Sequence, residues 1–148
     1  MVYLITFGGG AQQYLLNALQ VQQFTAAKTV CGFFSYGWSR KKLLDRVGWL
    51  SVRQLIQFHT ILQAHKTIRT GEPRPLYYSI STDHPRITRS AANGQIRFGE
   101  SFRTKNTFKY RALQWYNSVP ASIKTGSLAV FKKNLKTWVK ENVPIDWG

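Results

Sequence analysis

The sequence predicts a mainly α fold: a single helix-rich domain around a central helix, with a short β-hairpin or extended segment near residues 86–99. Three observations predict it. Between Ser51 and Gly71, the apolar residues Val52, Leu55, Ile56, Phe58, Ile61, Leu62, Ala64 and Ile68 recur at helical spacing and wrap most of the circumference. Other stretches along the chain repeat apolar residues three or four positions apart, which is helical periodicity. The β signal is confined to Asn93-Gly94, a hairpin turn pair flanked by residues 87–92 and 95–98.

Taken in order, residues 1–10 are apolar and then glycine-rich, ending in Phe7-Gly8-Gly9-Gly10. They read as the truncated end of an upstream domain, with the glycines as a flexible joint. No Gly-Lys-Ser/Thr follows, so they do not make a phosphate loop. Residues 11–31 read as a helix with Leu15, Leu16, Leu19, Ala26, Ala27 and Val30 on one arc. Gln23 intrudes on that arc, while Asn17, Gln20, Gln22 and Lys28 lie elsewhere. A helix solvated mainly by amides is often covered by another chain. A loop rich in glycine and aromatics follows. Ser39 then caps a helix from Arg40 to Val47 whose Leu43, Leu44 and Val47 face inward.

In the central helix Ser51 is the N-cap and Gly71 the stop. Its most exposed stripe is expected to be Arg53, Thr60 and Thr67, and Trp49, Leu55, Phe58 and Leu62 are expected among the least exposed residues. Pro73 and Pro75 break the chain, and Leu76 to Ile80 form about one turn. Thr107 caps a helix from Phe108 to Asn117 that buries Ala112, Leu113, Trp115 and Tyr116. Ser127 caps the last helix, which carries an apolar stripe of Leu128, Phe131, Leu135, Trp138 and Val139 and ends before Pro144.

The chain of 148 residues is long enough for one domain with a core. Its 14% aromatic content argues against disorder. With 21 basic and 6 acidic residues the net charge is +15, a self-repulsion that a polyanion would relieve. Nucleic acid is the first candidate partner and an anionic membrane surface the second; no apolar run approaches the ~18 residues of a membrane span. One cysteine, Cys31, excludes an internal disulfide and a multi-cysteine zinc site, and reads as a small buried apolar residue.

The acids Asp45, Glu72, Asp83, Glu100, Glu141 and Asp146 are scattered, whereas two-metal catalysis needs clustered carboxylates. His59 and His65 fall about 120° from a shared helix face, so they make poor joint ligands. The sequence therefore calls for no catalytic residue, no metal and no cofactor. The stronger signal is basic residues among aromatics: Arg86, Arg89, Arg97, Arg103, Lys105, Lys109 and Arg111 alternate with Phe98, Phe102, Phe108 and Tyr110. Guanidinium groups clamp phosphates and aromatic faces stack on bases. Lys132, Lys136 and Lys140, four apart, add a basic face on the last helix. The plainer reading of each is a solvated cationic surface. Arg40-Lys41-Lys42 opens a helix at the positive end of its dipole, a cost that a phosphate would offset.

Several stretches together resemble one family. Trp49-Leu50-Ser51-Val52-Arg53-Gln54 is similar to the W-L-P-V-x-x-R/Q segment that follows the polymerase core of non-LTR (LINE-type) retrotransposon reverse transcriptases. Residues 19–28 resemble that family's L-Q-x-x-Q-N-x-A-A-R helix, with Phe24 in the Asn place and Lys28 in the Arg place. Tyr3 to Gly10 resembles the end of its Y-x-x-x-x-W-G-G stretch, with Phe7 or Gly8 at the Trp. Thr88-Arg89-Ser90 resembles the start of its hairpin. Residues 115–120 resemble W-N-S-L-P with Tyr116 inserted, and residues 127–136 match S-L-x-x-F-K-x-x-L-K. The resemblance covers nearly the whole chain, in the family's order. It implies the C-terminal, thumb and post-polymerase region, without the Tyr/Phe-x-Asp-Asp motif, the upstream polymerase motifs or an endonuclease.

Two functional expectations follow. One is a non-catalytic C-terminal fragment of a retrotransposon-type reverse transcriptase that binds RNA or single-stranded DNA through a basic surface. It would reside in a nuclear or cytoplasmic ribonucleoprotein, and residues 1–30 would meet a polymerase core or another protein. The other is a structural or protein-interaction domain without nucleic-acid binding, favoured by the uncharged first helix.

Overall fold

The computed structural model describes residues 13–32, 36–81 and 108–146. They form six helices: α1 (Gln13–Cys31), α2 (Arg40–Val47), α3 (Val52–Thr70), α4 (Arg74–Ser81), α5 (Phe108–Ser118) and α6 (Leu128–Asn142). No strand occurs among the described residues. The expected hairpin near 86–99 and the glycine-rich residues 1–10 lie outside them.

The helix boundaries follow local chemistry. Ser39, Ser51 and Ser127 are the N-caps of α2, α3 and α6, accepting from the N–H groups of Lys42, Gln54 and Val130. At α3 the cap is reciprocal, because Gln54 Oε1 accepts from the Ser51 N–H at 3.0 Å. Gly48 and Gly71 end α2 and α3 with φ near +73° and +72°, a region that L side chains rarely enter.

α3 is the centre, packing against α5 and α6 and also touching α1 and α4. Phe58, Ile61 and Ala64 of α3 meet Ala112 and Tyr116 of α5 and Phe131, Leu135 and Val139 of α6 in one core. The enclosure is more complete than the sequence implies. Thr60 and Thr67, expected on the exposed stripe, are buried, and Arg53 is half-buried. With neighbours on several sides, α3 has no solvent stripe before Lys66, Arg69 and Thr70. Phe58 is buried as expected, but Leu55 and Leu62 are half-buried and Trp49 is exposed. Trp49 stands in the link between α2 and α3, where Leu50 takes the inward position instead.

The larger correction is α1. Its buried residues are Gln20, Phe24 and Ala27, with Gln23 half-buried. Leu15, Leu19 and Val30, expected inside, are exposed, as is Ala26; only Ala27 of that arc is buried. That orientation buries Phe24 and Ala27 and brings the Gln20 and Gln23 amide donors to main-chain carbonyls, while the Oε1 atoms of both glutamines are buried without a partner. Gln23 Nε2 donates to the Leu50 carbonyl at 2.7 Å, and Gln20 Nε2 donates to the Ile145 carbonyl at 2.9 Å and to Asp146 Oδ1 at 2.6 Å. From α3, Gln54 Nε2 donates to the Val143 carbonyl at 2.9 Å and Arg53 Nη1 to the Asp146 carbonyl at 2.7 Å. Arg40 of α2 pairs with the Asp146 carboxylate at 3.0 Å. The segment after α6 is thus held by side chains from three helices. Cys31 is half-buried at the end of α1.

His65 of α3 is 2% exposed and stacks on Phe131 with ring centroids 3.7 Å apart. Its Nδ1 lies 3.4 Å from the Tyr116 hydroxyl, which donates when that nitrogen is unprotonated. Burial, and then the nearby Arg69 and Lys124 charges, hold its pKa down at about 4.

Replacing Gln54 by Leu removes half of the α3 cap and leaves the Val143 carbonyl without its donor. A loss of about 2–4 kcal/mol in unfolding free energy is expected, measured by urea denaturation. Leu19→Ser should cost less than about 0.5 kcal/mol, because that side chain is already in water. Equal costs for the two would contradict the observed rotation of α1.

A second prediction concerns pH. The folded-state pKa of His65 lies below its ordinary 6.5, so folding favours the neutral ring. Its contribution is intact above about 6.5 and is lost as pH falls toward about 4, a decline of roughly 3 kcal/mol from this group. His65→Phe should flatten the stability profile in that window; an unchanged slope would show that His65 is not its source.

Candidate nucleic-acid interface

α6 sorts its side chains by the 3.6-residue turn. Phe131, Leu135 and Val139 are fully buried against the core. Lys132, Lys136 and Lys140 advance at four-residue steps beside that seam, with Lys133 further round, and all are exposed. Lys132 to Lys140 spans about 12 Å along the axis. Glu141, the acid of this helix, lies about 100° round from Lys140. The ion pairs among the described residues are Arg40–Asp146 and Arg74–Glu72, so no described carboxylate neutralises the α6 lysines. Cations on one face without acids among them form a surface that attracts a chain of phosphates.

The field of this face reaches the central helix. His59 is half-buried, and burial first and Lys132 second lower its pKa. Any anion settling beside Lys132 would oppose the second of those effects.

The basic window between α4 and α6 is only partly described. Arg86, Arg89, Arg97, Arg103 and Lys105 lie outside the described residues. Lys109 and Arg111 belong to α5, where both are half-buried. Two positions apart on a helix, they point about 160° away from each other and do not share one phosphate-binding face. Arg111 Nε is buried with no hydrogen-bond partner, and burial lowers its pKa, although a guanidinium remains charged. Phe108 and Tyr110 are half-buried beside them.

The Arg40-Lys41-Lys42 run has partners within the chain. Arg40 pairs with Asp146 and lies over the Phe24 ring at 4.9 Å, and Lys42 lies over the Trp38 ring at 4.5 Å. Only Lys41 of the three lacks such a contact. Lys124, which the sequence did not single out, is half-buried before α6 with its Nζ 4.1 Å from the Tyr116 ring centroid. Burial pushes its pKa down to about 8, while the aromatic face opposes that by favouring the cation. A lysine packed between strands of sequence that look like a plain turn leaves no periodic signal.

Among the described residues no three His, Cys, Asp or Glu side chains gather as metal ligands, and no helix is long and apolar enough to cross a membrane. The face of α6 is therefore the arrangement with the clearest chemistry, and that chemistry is electrostatic. Compared with known proteins, the chain matches no family model, no curated protein and no solved structure.

Proposed function

We propose that this helical domain binds RNA or single-stranded DNA through the lysine face of α6, and that it does so without catalysing a reaction. The observation that carries the reading is the exposed set Lys132, Lys133, Lys136 and Lys140, none ion-paired to a described acid. The net charge of +15 supports it. The resemblance of the chain to the C-terminal region of non-LTR retrotransposon reverse transcriptases supports it further. On that reading the domain is a non-catalytic fragment that holds template or target beside a polymerase core within an intracellular ribonucleoprotein.

A second reading, a protein-interaction domain without nucleic-acid affinity, draws on α1. Tyr14, Leu15, Leu19, Val21 and Val30 are exposed there at 50% or more of their area. The two readings differ in what the lysines do.

Fluorescence anisotropy with labelled RNA and DNA oligonucleotides over a series of salt concentrations separates them. If each of the four lysines neutralises one phosphate, the log–log salt slope from α6 is about −2.8 for a single strand. Lys132→Gln with Lys136→Gln should make the slope shallower by about 1.4. In the wild type, bound oligonucleotide should raise the His59 pKa followed by NMR, because phosphate counters Lys132. Absence of binding at about 50 mM salt, or a slope indifferent to both substitutions, would leave the interaction-domain reading standing.

A further inference from the structure

The outward face of α1 is the strongest feature that nucleic-acid binding does not use. Leu15, Leu19, Gln22, Ala26 and Thr29 follow one another at steps of four, three, four and three residues, and all are exposed. That spacing puts them on one stripe, or seam, of the helix, the geometry in which one helix lies along another, with Leu15 and Leu19 as its large apolar residues. No charged side chain occurs from Gln13 to Ala27, although the chain as a whole carries +15. The face is also drier than its composition suggests. Thr25 Oγ1 donates to the Val21 carbonyl and Thr29 Oγ1 to the Thr25 carbonyl, each at 3.0 Å. Those hydroxyls are satisfied within the helix, so Gln22 is the one seam residue left with a side-chain amide to pair.

The order of sizes along the seam identifies the occupant. Leu15 and Leu19 lie on one side of Gln22, Ala26 and Thr29 on the other. Laid antiparallel on itself about Gln22, the helix sets Leu15 against Thr29 and Leu19 against Ala26, large into small on both sides of the centre. The two Gln22 carboxamides then face each other, each with a donor and an acceptor to exchange. Parallel pairing would stack leucine on leucine and leave Ala26 opposite Ala26. Antiparallel helix dipoles also attract.

We infer that a second copy of this chain covers the face: the protein self-associates through an antiparallel α1–α1 pair centred on Gln22. The seam from Leu15 to Thr29 is about 21 Å long. One helix pair of that length falls short of the ~800 Å² per partner of a standard interface, so the dimer is weak and concentration-dependent. Repulsion between two cationic chains opposes it at low salt. Raising the salt therefore strengthens this association, whereas it weakens nucleic-acid binding.

Sedimentation velocity of the full chain at about 50 and about 500 mM salt tests the inference. A concentration-dependent dimer, tighter at the higher salt, is expected. Leu15→Ser with Leu19→Ser should weaken it at least about tenfold, as expected when large side chains leave an interface centre. Measured at protein concentrations low enough for the wild type to be monomeric, the same pair should leave the oligonucleotide salt slope unchanged, which keeps this inference separate from the proposed function. Circular dichroism confirms that the variant is folded. Orientation is read in a Cys31→Ser background. Gln22→Cys should cross-link to itself under mild oxidation. Leu15→Cys should link to Thr29→Cys when the two proteins are mixed, but not to itself. A chain that remains monomeric into the submillimolar range at both salts overturns the inference and assigns the face to a different protein. Self-linking of Leu15→Cys as fast as that of Gln22→Cys overturns the antiparallel arrangement.

Discussion

The carbonyls of Leu50, Val143 and Ile145 belong to segments outside the helices, and each is met by a glutamine amide. Gln23, Gln54 and Gln20 supply those amides. A buried carbonyl left without a donor costs about 1–3 kcal/mol; that applies in full to the buried Gln54–Val143 bond and in part to the two half-buried ones. Gln54 couples the largest number of parts. Its Oε1 completes the cap of α3 while its Nε2 holds the segment after α6. The start of the central helix and the end of the last one are therefore fixed by the same side chain. Arg40 and Arg53 close the same segment from outside, on Asp146.

That requirement sets the rotation of α1, and the rotation decides what the protein shows to its surroundings. With Gln20 and Gln23 turned inward, Leu15, Leu19 and Val30 must turn outward, whatever their transfer free energy favours. Leaving one leucine in water forgoes about 1.5–3 kcal/mol of burial. In the opposite orientation the Leu50 and Ile145 carbonyls would lose their amide donors and Phe24 its cover, which offsets both the exposed leucines and the buried, unpaired Oε1 atoms of Gln20 and Gln23. The conflict disappears when another helix covers the leucines. Elsewhere burial with cations nearby holds His65 neutral, Arg111 and Lys124 are half-buried, and the α6 lysines are all outside. Cationic and uncharged surfaces are thereby segregated onto different helices.

Local signals were the legible part of the sequence. Ser39, Ser51, Ser127 and Gly71 act within one turn of where they stand, so these boundaries of α2, α3 and α6 follow from nearest neighbours. The α6 face was legible for the same reason, since lysines four apart beside an apolar stripe need no tertiary knowledge. The inversion of α1 was not legible, because its cause lies up to 126 positions away, in the partners of Gln20. Nor was the burial of Thr60 and Thr67. A helix surrounded by neighbours has no amphipathic contrast to read, so small polar residues look like the outer stripe by default. Lys109 and Arg111 point to opposite sides of α5, since residues two apart share a face only on a strand, and the sequence already placed both on a helix. Lys41 and Lys42 looked alike, yet only Lys42 lies over an aromatic ring.

If both surfaces are occupied, they cannot be independent. Each copy brings its cationic face into a dimer, so the repulsion between copies is part of the free energy of association. A polyanion that neutralises the α6 lysines removes part of that repulsion, and so binds the dimer more tightly than two separate chains. Reciprocity then requires that dimer formation raise affinity for the polyanion by the same factor. No conformational change is needed, because the coupling passes through the shared electrostatic field. It fades as salt screens charges beyond about 8–10 Å. A strand long enough to span two α6 faces would add a second term, since engaging the first face raises the effective concentration at the other. The two effects can be told apart by length: a short oligonucleotide reports field coupling alone, and a long one reports both.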